Sequence, residues 1–194
     1  MTINAYKRIL MERLTEKRYL HSLAVADEAV RLAKKYGGDT EKAYLAGLLH
    51  DIMKDAPKEE MLQTIERFGI ILTEIEKASP KLWHAIAGAC YVRQQLDVED
   101  GDIVRAIRYH TTARKNMTQL EKILYLADFT SADRDYPGVD KMRRAVDGDM
   151  ETAMAEALTF TITDLAAQGH AIHPDTVEAY NEIALSAAAR RSVQ

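Results

Sequence analysis

The sequence predicts an all-α fold in a single domain, and three observations support this prediction. The 194 residues have the length of one domain and are enough to bury a hydrophobic core. Apolar residues make up 47% and charged residues 29%, with only 9 Gly and 4 Pro, which is the balance of a soluble helical protein. Apolar residues recur at helical spacing, and no segment alternates polar and apolar residues as a half-buried strand would.

The first half of the chain predicts five helices, separated by residues that begin or end helices. Thr15 and Asp39 are typical N-caps, Gly37-Gly38 ends one helix, and Ala56-Pro57 begins another. The predicted helices span about residues 3–13, 16–36, 40–52, 57–67 and 73–78. The third helix carries an apolar run that finishes at His50-Asp51, so it brings an imidazole and a carboxylate to the edge of the core.

The second half predicts six more helices, again bounded by caps and helix breakers. Ser79-Pro80 precedes the first of them, Thr118 is an N-cap, and Gly169 and Pro174 separate the last two. The predicted helices span about residues 81–96, 102–109, 119–128, 139–147, 149–168 and 174–190. These helices leave no internal repeat and no domain linker along the chain.

The charge balance excludes a broad binding surface for nucleic acid or for an anionic membrane. Against 30 Asp and Glu there are 26 Lys and Arg, which gives a net charge of −4, and no basic block interrupts the chain. No apolar run approaches the ~18 residues of a membrane span. Cys90 is the one cysteine and is predicted to be a buried core residue, which excludes an internal disulfide. We therefore expect a cytoplasmic protein.

Four of the six histidines lie on, or at the ends of, four different apolar helices. They are His21, His50, His84 and His110, and their nearest acidic companions are Asp51 and Asp128. Taken singly, a histidine near a core is usually a hydrogen-bonded structural residue, and an aspartate at a helix end is usually a solvated cap. Because apolar helices converge on a shared core, however, polar groups at their edges can meet. A pocket of imidazoles and carboxylates suits iron, manganese, zinc or a related ion.

Five segments carry a resemblance to a known family. They are Arg18-Tyr19-Leu20-His21-Ser22, Leu48-Leu49-His50-Asp51-Ile52-Met53-Lys54, Arg108-Tyr109-His110-Thr111-Thr112, Tyr125-Leu126-Ala127-Asp128-Phe129 and Arg134-Asp135-Tyr136-Pro137-Gly138-Val139. In this order they resemble the HD superfamily of metal-dependent phosphohydrolases and, within it, the YqeK family. The resemblance implies an HD-domain helical bundle over residues 1–185, with a metal-site core at about 16–130, C-terminal helices at 131–185 and a frayed tail at 186–194.

The resemblance also implies two metal ions and their ligands. The first ion would be bound by His21, His50, Asp51 and Asp128, and the second by His84 and His110, with Asp51 bridging the two. No ligand position departs from the family pattern. Iron is the metal that the resemblance favours, and manganese, zinc and cobalt also suit a ligand set rich in histidine.

The YqeK family is understood to consist of symmetrical bis(5′-nucleosyl)-tetraphosphatases, which cut diadenosine tetraphosphate into two ADP. Two ions about 3.5–4 Å apart can activate a water and clamp the attacking and leaving oxygens. The expected nucleophile is a hydroxide that bridges the ions across Asp51, and ADP or GDP is expected as a product-like ligand. Two alternatives stay open, namely a phosphohydrolase of mononucleotides or alarmones, and a non-catalytic sensor that binds nucleoside diphosphates.

The tetraphosphate of such a substrate requires fixed cations, because the protein itself is acidic. Lys54 is the first candidate for phosphate binding and catalysis, and Arg134 could form a bidentate phosphate contact. Either side chain could instead pair with a neighbouring carboxylate. Arg18 could bind phosphate or orient a ligand carboxylate. Thr111 and Thr112 could donate hydroxyls to phosphate or cap a helix.

The residues that recognise the nucleobase are the least predictable part of the site. Trp83 and Tyr125 could stack a base, but both lie in apolar helical stripes and are predicted to be core residues. His170 and His173 are predicted to be helix-boundary residues. The N-terminal amphipathic helix and the helix at 149–168 offer apolar surface for a possible homodimer.

Overall fold

A computed structural model confirms the all-α prediction. It describes residues 1–191, and within this range the chain forms eleven α-helices and no β-strand. The first six are α1 (Ile3–Arg13), α2 (Glu16–Tyr36), α3 (Thr40–Leu49), α4 (Lys58–Arg67), α5 (Glu74–Ala78) and α6 (Trp83–Gln95). The other five are α7 (Gly101–Tyr109), α8 (Gln119–Thr130), α9 (Val139–Asp147), α10 (Met150–Ala167) and α11 (Pro174–Arg191). A short 3₁₀ turn, Pro80–Leu82, leads into α6.

Most helices begin where the sequence places an N-cap. The hydroxyl of Thr15 accepts a hydrogen bond from the backbone N–H of Arg18 at the start of α2. The Asp39 carboxylate accepts from two backbone N–H groups of α3. Thr118 forms a capping box with Glu121 at the start of α8. Each contact satisfies backbone donors that a helix start leaves without an internal partner, so local chemistry fixes these boundaries.

Two helices near the predicted site end elsewhere than predicted. The sequence places the end of the third helix at about residue 52, but α3 ends at Leu49, and residues 50–55 form a turn. The turn is held by tighter bonds, from Ile52 N–H to Leu49 O and from Lys54 N–H to Asp51 O, which replace the helical pattern. In contrast, α8 continues to Thr130, two residues beyond its predicted end, so Asp128 lies within its last turn.

The C-terminal helix agrees with its predicted span of about 174–190, because α11 runs from Pro174 to Arg191. It includes residues 186–191 of the predicted tail, and the fraying of that tail stays a prediction. Residues 192–194 of that predicted tail lie outside the described residues. Within residues 1–191, no helix is both long enough and apolar enough to cross a membrane.

The helices that carry the predicted metal ligands form one packed group. Helix α2 packs against α3 and α8, and α7 packs against α3, α6 and α8. Among the side chains that fill the space between them, Leu32, Leu48, Ile86, Ile107 and Leu124 are fully buried. At the C-terminal side, α10 packs against α8, α9 and α11. The arrangement brings the ligand-bearing ends of α2, α3, α6, α7 and α8 to one region of the bundle.

Three side chains whose burial was predicted are core residues. Trp83 is buried, and its indole Nε1–H donates to the carbonyl of Glu76 at 2.7 Å. Tyr125 is fully buried, and its hydroxyl lies 3.1 Å from that of Thr161. Cys90 is buried, and burial raises the pKa of its thiol to about 11. Neither aromatic ring is available to stack on a ligand.

Helices α2 and α3 approach each other closely at Gly47. A Cβ atom at this position would lie 2.6 Å from the Cα of Ala26 and 2.9 Å from its nitrogen. Both of these are backbone atoms, which cannot rotate away as a side chain can. Glycine is therefore required here for packing, and the contact fixes the position of the turn that begins at His50.

We predict that Gly47→Ala destabilises the protein by about 1–3 kcal/mol, because α2 and α3 must separate to admit the methyl group. Chemical denaturation followed by circular dichroism measures the loss. Gly88→Ala is the matched control in another helix, since a Cβ there meets its nearest atom at an ordinary 3.6 Å. The control should change stability by no more than about 1 kcal/mol. Equal stability of the two variants would contradict the close contact.

Candidate metal centre

Four histidines and two aspartates meet at the ends of the packed helices. They are His21 on α2, His50 and Asp51 in the turn after α3, His84 in the first turn of α6, His110 directly after α7, and Asp128 on α8. The four imidazoles and the carboxylate of Asp51 are buried, and 19% of the Asp128 side chain is exposed. The structure therefore brings together all six residues that the sequence nominates as metal ligands.

The Nε2 atoms of the histidines converge on the two carboxylates. His84 Nε2 lies 3.1 Å and His110 Nε2 lies 3.5 Å from Asp51 Oδ1. His50 Nε2 lies 3.5 Å from the other oxygen, Asp51 Oδ2. His21 Nε2 lies 3.1 Å from Asp128 Oδ1. The two oxygens of Asp51 thus face two different sets of histidines.

The opposite nitrogen of three imidazoles is held by a fixed acceptor. The Nδ1–H of His50 donates to the carbonyl of Gly47 at 2.7 Å, and that of His110 donates to the carbonyl of Ile107 at 2.8 Å. His21 Nδ1 lies 2.7 Å from the carboxylate of Asp133. Because a carbonyl can only accept, Nδ1 must carry the proton in His50 and His110, and the lone pair of Nε2 then faces the centre.

The donor set fits a metal ion. Within the part of the chain that the structure describes, His50 Nε2 and Asp51 Oδ1 are buried without a hydrogen-bond partner. Leaving two such atoms unsatisfied is costly, and a cation between them would remove the cost. The candidates form three overlapping triads, and within each triad the ligand atoms lie within 4.8 Å of one another. The first triad is His21, His50 and Asp51, the second is His50, His110 and Asp128, and the third is Asp51, His84 and His110. Imidazole nitrogen with carboxylate oxygen suits a transition metal.

The electrostatics of the cluster keep His50, His84 and Asp51 in the forms that bind metal. Complete burial lowers the pKa of His50 to about 4, and burial also lowers the pKa of His84, so both imidazoles are neutral near pH 7. Burial would raise the pKa of Asp51, but the neighbouring imidazoles, His50 first, and Lys54 outweigh it and hold the pKa well below its ordinary value. Neutral imidazole and ionised carboxylate are the states that metal binding requires.

Asp133 contacts the metal centre through His21. The sequence pattern did not indicate this contact. The Oδ2 of Asp133 lies 2.7 Å from His21 Nδ1, and its Oδ1 accepts a hydrogen bond from the hydroxyl of Ser131 at 2.8 Å. A carboxylate on the outer nitrogen of a ligand histidine orients the ring and increases its basicity. The two residues are separated by 112 positions, so no local spacing could indicate this pair.

Arg143 on α9 holds the loop that carries Asp133 and Arg134, and the sequence gave no sign of this role. Its Nη2–H groups donate to the carbonyls of Ser131 at 3.0 Å and of Arg134 at 2.9 Å. Its Nε–H donates to the carbonyl of Thr130 at 3.3 Å. One guanidinium therefore satisfies three carbonyls of the loop and fixes its path beside His21.

The cations nominated for phosphate binding lie at the metal centre. Lys54 Nζ is 3.1 Å from His84 Nε2 and 3.8 Å from Asp51 Oδ1. It forms no ion pair with Asp55 or Glu59, and the Asp55 carboxylate accepts instead from the backbone and hydroxyl of Thr15. Arg18 Nη1 donates to Asp51 Oδ2 at 2.8 Å, which favours the carboxylate-orienting alternative for this residue. Arg134 donates to the carboxylate and the backbone carbonyl of Asp128 rather than pairing with its neighbours Asp133 and Asp135.

The two threonines after His110 differ in their surroundings. Among the described residues the hydroxyl oxygen of Thr111 is buried without a partner, and Thr111 lines two cavities beside the metal centre. The hydroxyl of Thr112 donates to the carbonyl of Ala113 at 2.9 Å. A substrate contact by either threonine stays a prediction, and Thr111 is the better placed of the two.

Two cavities adjoin the cluster. The first, of about 320 Å³, borders His110, Asp128 and Arg134 and is walled by the aromatic rings of three residues, Phe129, Tyr136 and Phe160. The second, of about 440 Å³, shares with it a wall of Thr111, Thr161, Asp164 and Leu165 and extends to His170 and His173. A larger cavity of about 590 Å³ lies between α9 and α10, and none of the six metal-ligand candidates is among the described residues that line it.

A helical bundle with this cluster of histidines and aspartates defines the class of metal-dependent phosphohydrolases that carry an HD domain, and residues 18–133 match the HD domain family. The chain is 42% identical to a protein of Halalkalibacterium halodurans named symmetrical bis(5′-nucleosyl)-tetraphosphatase, over 92% of this chain and 95% of the relative. It is 40% identical to the protein of that name from Bacillus subtilis, over 88% of this chain and 91% of the relative.

A solved structure agrees with these relatives. It is a crystal structure from Clostridium acetobutylicum, described as a predicted HD superfamily hydrolase involved in NAD metabolism. The two chains superpose with a TM-score of 0.93 and 38% identity, covering 96% of this chain and 98% of the other. The chain belongs to the HD domain family and, within it, to the YqeK family.

We predict that Arg143→Met loosens the loop at residues 130–134, because the three carbonyls lose a charged donor. Hydrogen bonds to charged groups contribute about 1.5–3 kcal/mol, so amide exchange in the loop should accelerate about tenfold or more. Hydrogen exchange followed by mass spectrometry measures this change. Arg144→Met removes the same charge from the exposed next position and should leave the loop unchanged. Unchanged exchange in both variants would show that Arg143 does not hold the loop.

Proposed function

We propose that this chain is a metal-dependent hydrolase that cleaves diadenosine tetraphosphate symmetrically into two ADP. The observation that carries the proposal is the buried cluster of four histidines and two aspartates at the mouth of a cavity with a polar and an aromatic end. The names of relatives that match nearly the full chain support this substrate. They give no support to a hydrolase of mononucleotides or alarmones, or to a non-catalytic sensor.

The proposed ligands follow the two faces of Asp51. One ion would be held by His21, His50, Asp51 and Asp128, and a second by His84 and His110 together with Asp51. Support for the bridging role comes from the carboxylate itself, because Oδ1 lies near His84 and His110 while Oδ2 lies near His50. Iron is the proposed metal, and manganese, zinc or cobalt would fit the same donors.

When bound, such ions supply a water activated near neutral pH and neutralise charge on the attacked phosphate. The chain supplies the frame for this chemistry. Arg18 fixes Asp51, while Asp133 and two backbone carbonyls hold the outer nitrogens of three imidazoles. These contacts position the ligand atoms before substrate arrives, which lowers the cost of organising them during the reaction.

Lys54 lies beside Asp51, and Arg134 lies beside Asp128. Both side chains are partly exposed, so their charges are accessible to a ligand, and Arg134 also lines the first cavity. We assign Lys54 to a non-bridging phosphate oxygen near the reacting phosphorus and Arg134 to the phosphates nearer the first cavity. Thr111 lines the same cavity, and its buried hydroxyl, which has no partner among the described residues, would donate to phosphate.

A nucleotide is the proposed partner, with ADP or GDP as a product-like ligand. A homodimer also stays a prediction. The surfaces nominated for it do carry exposed apolar side chains, namely Ile3 and Met11 on α1 and Phe160 on α10.

The metal-loaded protein should convert each diadenosine tetraphosphate into two ADP. Chromatographic separation of the nucleotides over time measures the ratio of product to consumed substrate. The symmetrical outcome follows if water attacks one of the two central phosphorus atoms and the bridging P–O bond between the two central phosphates breaks, so that one ADP is the leaving group and the attacked half becomes the other. Formation of ATP and AMP, or no consumption of substrate, would contradict the proposal.

Substitution should separate metal binding from phosphate binding. Asp51→Ala should lose bound metal and activity together, because it removes the carboxylate that both sets of histidines face. Lys54→Ala should keep its metal and lose activity by about 10²–10³-fold, as expected for a charge that stabilises the transition state. Metal analysis of protein purified without chelator, combined with turnover assays, measures both effects.

The control for these variants is Lys58→Ala, which removes an exposed lysine at the start of α4. It should retain both metal and activity. Far-ultraviolet circular dichroism confirms that each variant is folded. Full activity in Asp51→Ala would refute the bridging assignment, and loss of metal from Lys54→Ala would make that lysine part of the metal-binding frame instead.

A further inference from the structure

The first cavity is lined by two chemically different groups of residues. One group is His110 and Asp128 of the metal centre, together with Arg134. The other group is Phe129, Tyr136 and Phe160, whose rings we call the aromatic pocket. A lining that combines a polar, cationic group with an aromatic group matches a ligand that carries both phosphates and a planar ring.

The three rings form a fixed, interlocked wall. The ring centroids of Tyr136 and Phe160 are 5.2 Å apart, those of Phe129 and Phe160 6.1 Å, and those of Phe129 and Tyr136 6.4 Å. The hydroxyl of Tyr136 donates to the carbonyl of Phe129 at 3.1 Å, which fixes the orientation of its ring. These distances are within the usual range for aromatic pairs, so the wall is preformed.

Phe160 is more exposed than its role in packing requires. It is 38% exposed, and it lines both the first cavity and the larger cavity between α9 and α10. In contrast, Tyr125 and Trp83, the rings that the sequence offered for stacking, are 0% and 8% exposed. An exposed aromatic face beside a polar site is the feature that a planar ligand covers.

The second cavity lacks this feature. Among the described residues that line it there is no Phe, Tyr or Trp. The wall shared by the two cavities carries Thr161, directly after Phe160, and Asp164, one turn of α10 further on. The hydroxyl of Thr161 already donates to the carbonyl of Ala157, whereas the exposed carboxylate of Asp164 can accept a hydrogen bond from a sugar hydroxyl.

We propose that the aromatic pocket binds the base of one nucleoside of the substrate, with the base stacked on Phe160 and its phosphates directed towards Arg134 and the metal centre. This assignment rests on the proposed function and adds its base-binding site. Because every nucleobase has an aromatic face, stacking gives affinity with little preference among bases. Phe160 would therefore contribute to binding rather than to the choice of base.

Phe160→Ala tests this assignment with two probes, ADP and inorganic pyrophosphate, titrated calorimetrically into the metal-loaded protein. Stacking of one base on an aromatic side chain corresponds to a change in affinity of about tenfold or more. We expect the variant to bind ADP at least about tenfold more weakly, and to bind pyrophosphate, which has no base, as the wild type does. Its metal content should equal that of the wild type. Phe160→Trp, which keeps an aromatic face, should retain affinity for ADP.

Phe68→Ala is the matched control. It removes a phenylalanine ring at the end of α4, which is not among the residues that line either cavity. The substitution should not change the affinity for ADP. Unchanged ADP binding in Phe160→Ala would overturn the proposal. So would an equal loss of ADP and pyrophosphate binding, because that pattern indicates a distorted metal centre.

The outcome is distinguishable from a failure of the proposed function. The wild type could bind ADP with the expected dependence on Phe160 and yet not cleave diadenosine tetraphosphate. In that case the proposed base-binding site is supported and the proposed activity is wrong. If the wild type releases two ADP and Phe160→Ala still binds ADP normally, the activity stands and the aromatic pocket is not the base-binding site.

Discussion

The structure depends on the buried carboxylate of Asp51. An ionised carboxylate away from water is costly unless its neighbours compensate the charge. Arg18 donates to one oxygen at 2.8 Å, and Lys54 lies 3.8 Å from the other. Histidines from three parts of the chain lie within 3.5 Å of it. Residues of α2 and α6, the histidine after α7 and the turn after α3 all reach this one side chain. A bound metal ion would compensate the cost of burying its charge.

A short loop connects the metal centre to the aromatic pocket. Its Asp133 contacts His21, its Arg134 contacts Asp128, and its Tyr136 forms one side of the aromatic pocket. Arg143 donates to the carbonyls of the same loop. The proposed roles in ligand orientation, phosphate binding and base contact would thus fall on one segment, and Arg143 anchors that segment. A shift of the loop would alter all three together.

The sequence predicted the helices well because helix boundaries are largely local. N-caps such as Thr15 and Asp39 bond to backbone groups two or three residues away, and these contacts are visible in the sequence. The early end of α3 at Leu49 was missed because a turn replaces its last residues, and that turn serves contacts made across the bundle. The six metal-ligand candidates were identified as a set from the family resemblance. Composition and spacing alone would not have shown that these residues act together as ligands.

The side chains that the sequence did not reveal make contacts beyond the spacing of a single helix. Asp133 contacts a histidine 112 positions away, and Arg143 on α9 donates to backbone carbonyls at the end of α8 and in the loop that precedes α9. Phe160 lies in the apolar pattern of α10 and cannot be distinguished there from a core residue. Only the packing of α10 against α8 and α9 leaves its ring exposed beside the metal centre. Spacing arguments detect neighbours within a helix, and these contacts are between helices.

The match to the HD domain family ends at residue 133, and several residues proposed to contact the substrate lie beyond it. Arg134, Tyr136, Phe160 and Asp164 all lie in the C-terminal helices and the loop before them. The matched region contains the six metal-ligand candidates, and in the proposed function the C-terminal helices form the wall that selects the substrate. Changes in that wall should therefore alter the substrate while the metal centre is retained, which makes α10 the element in which relatives with other substrates would be expected to differ.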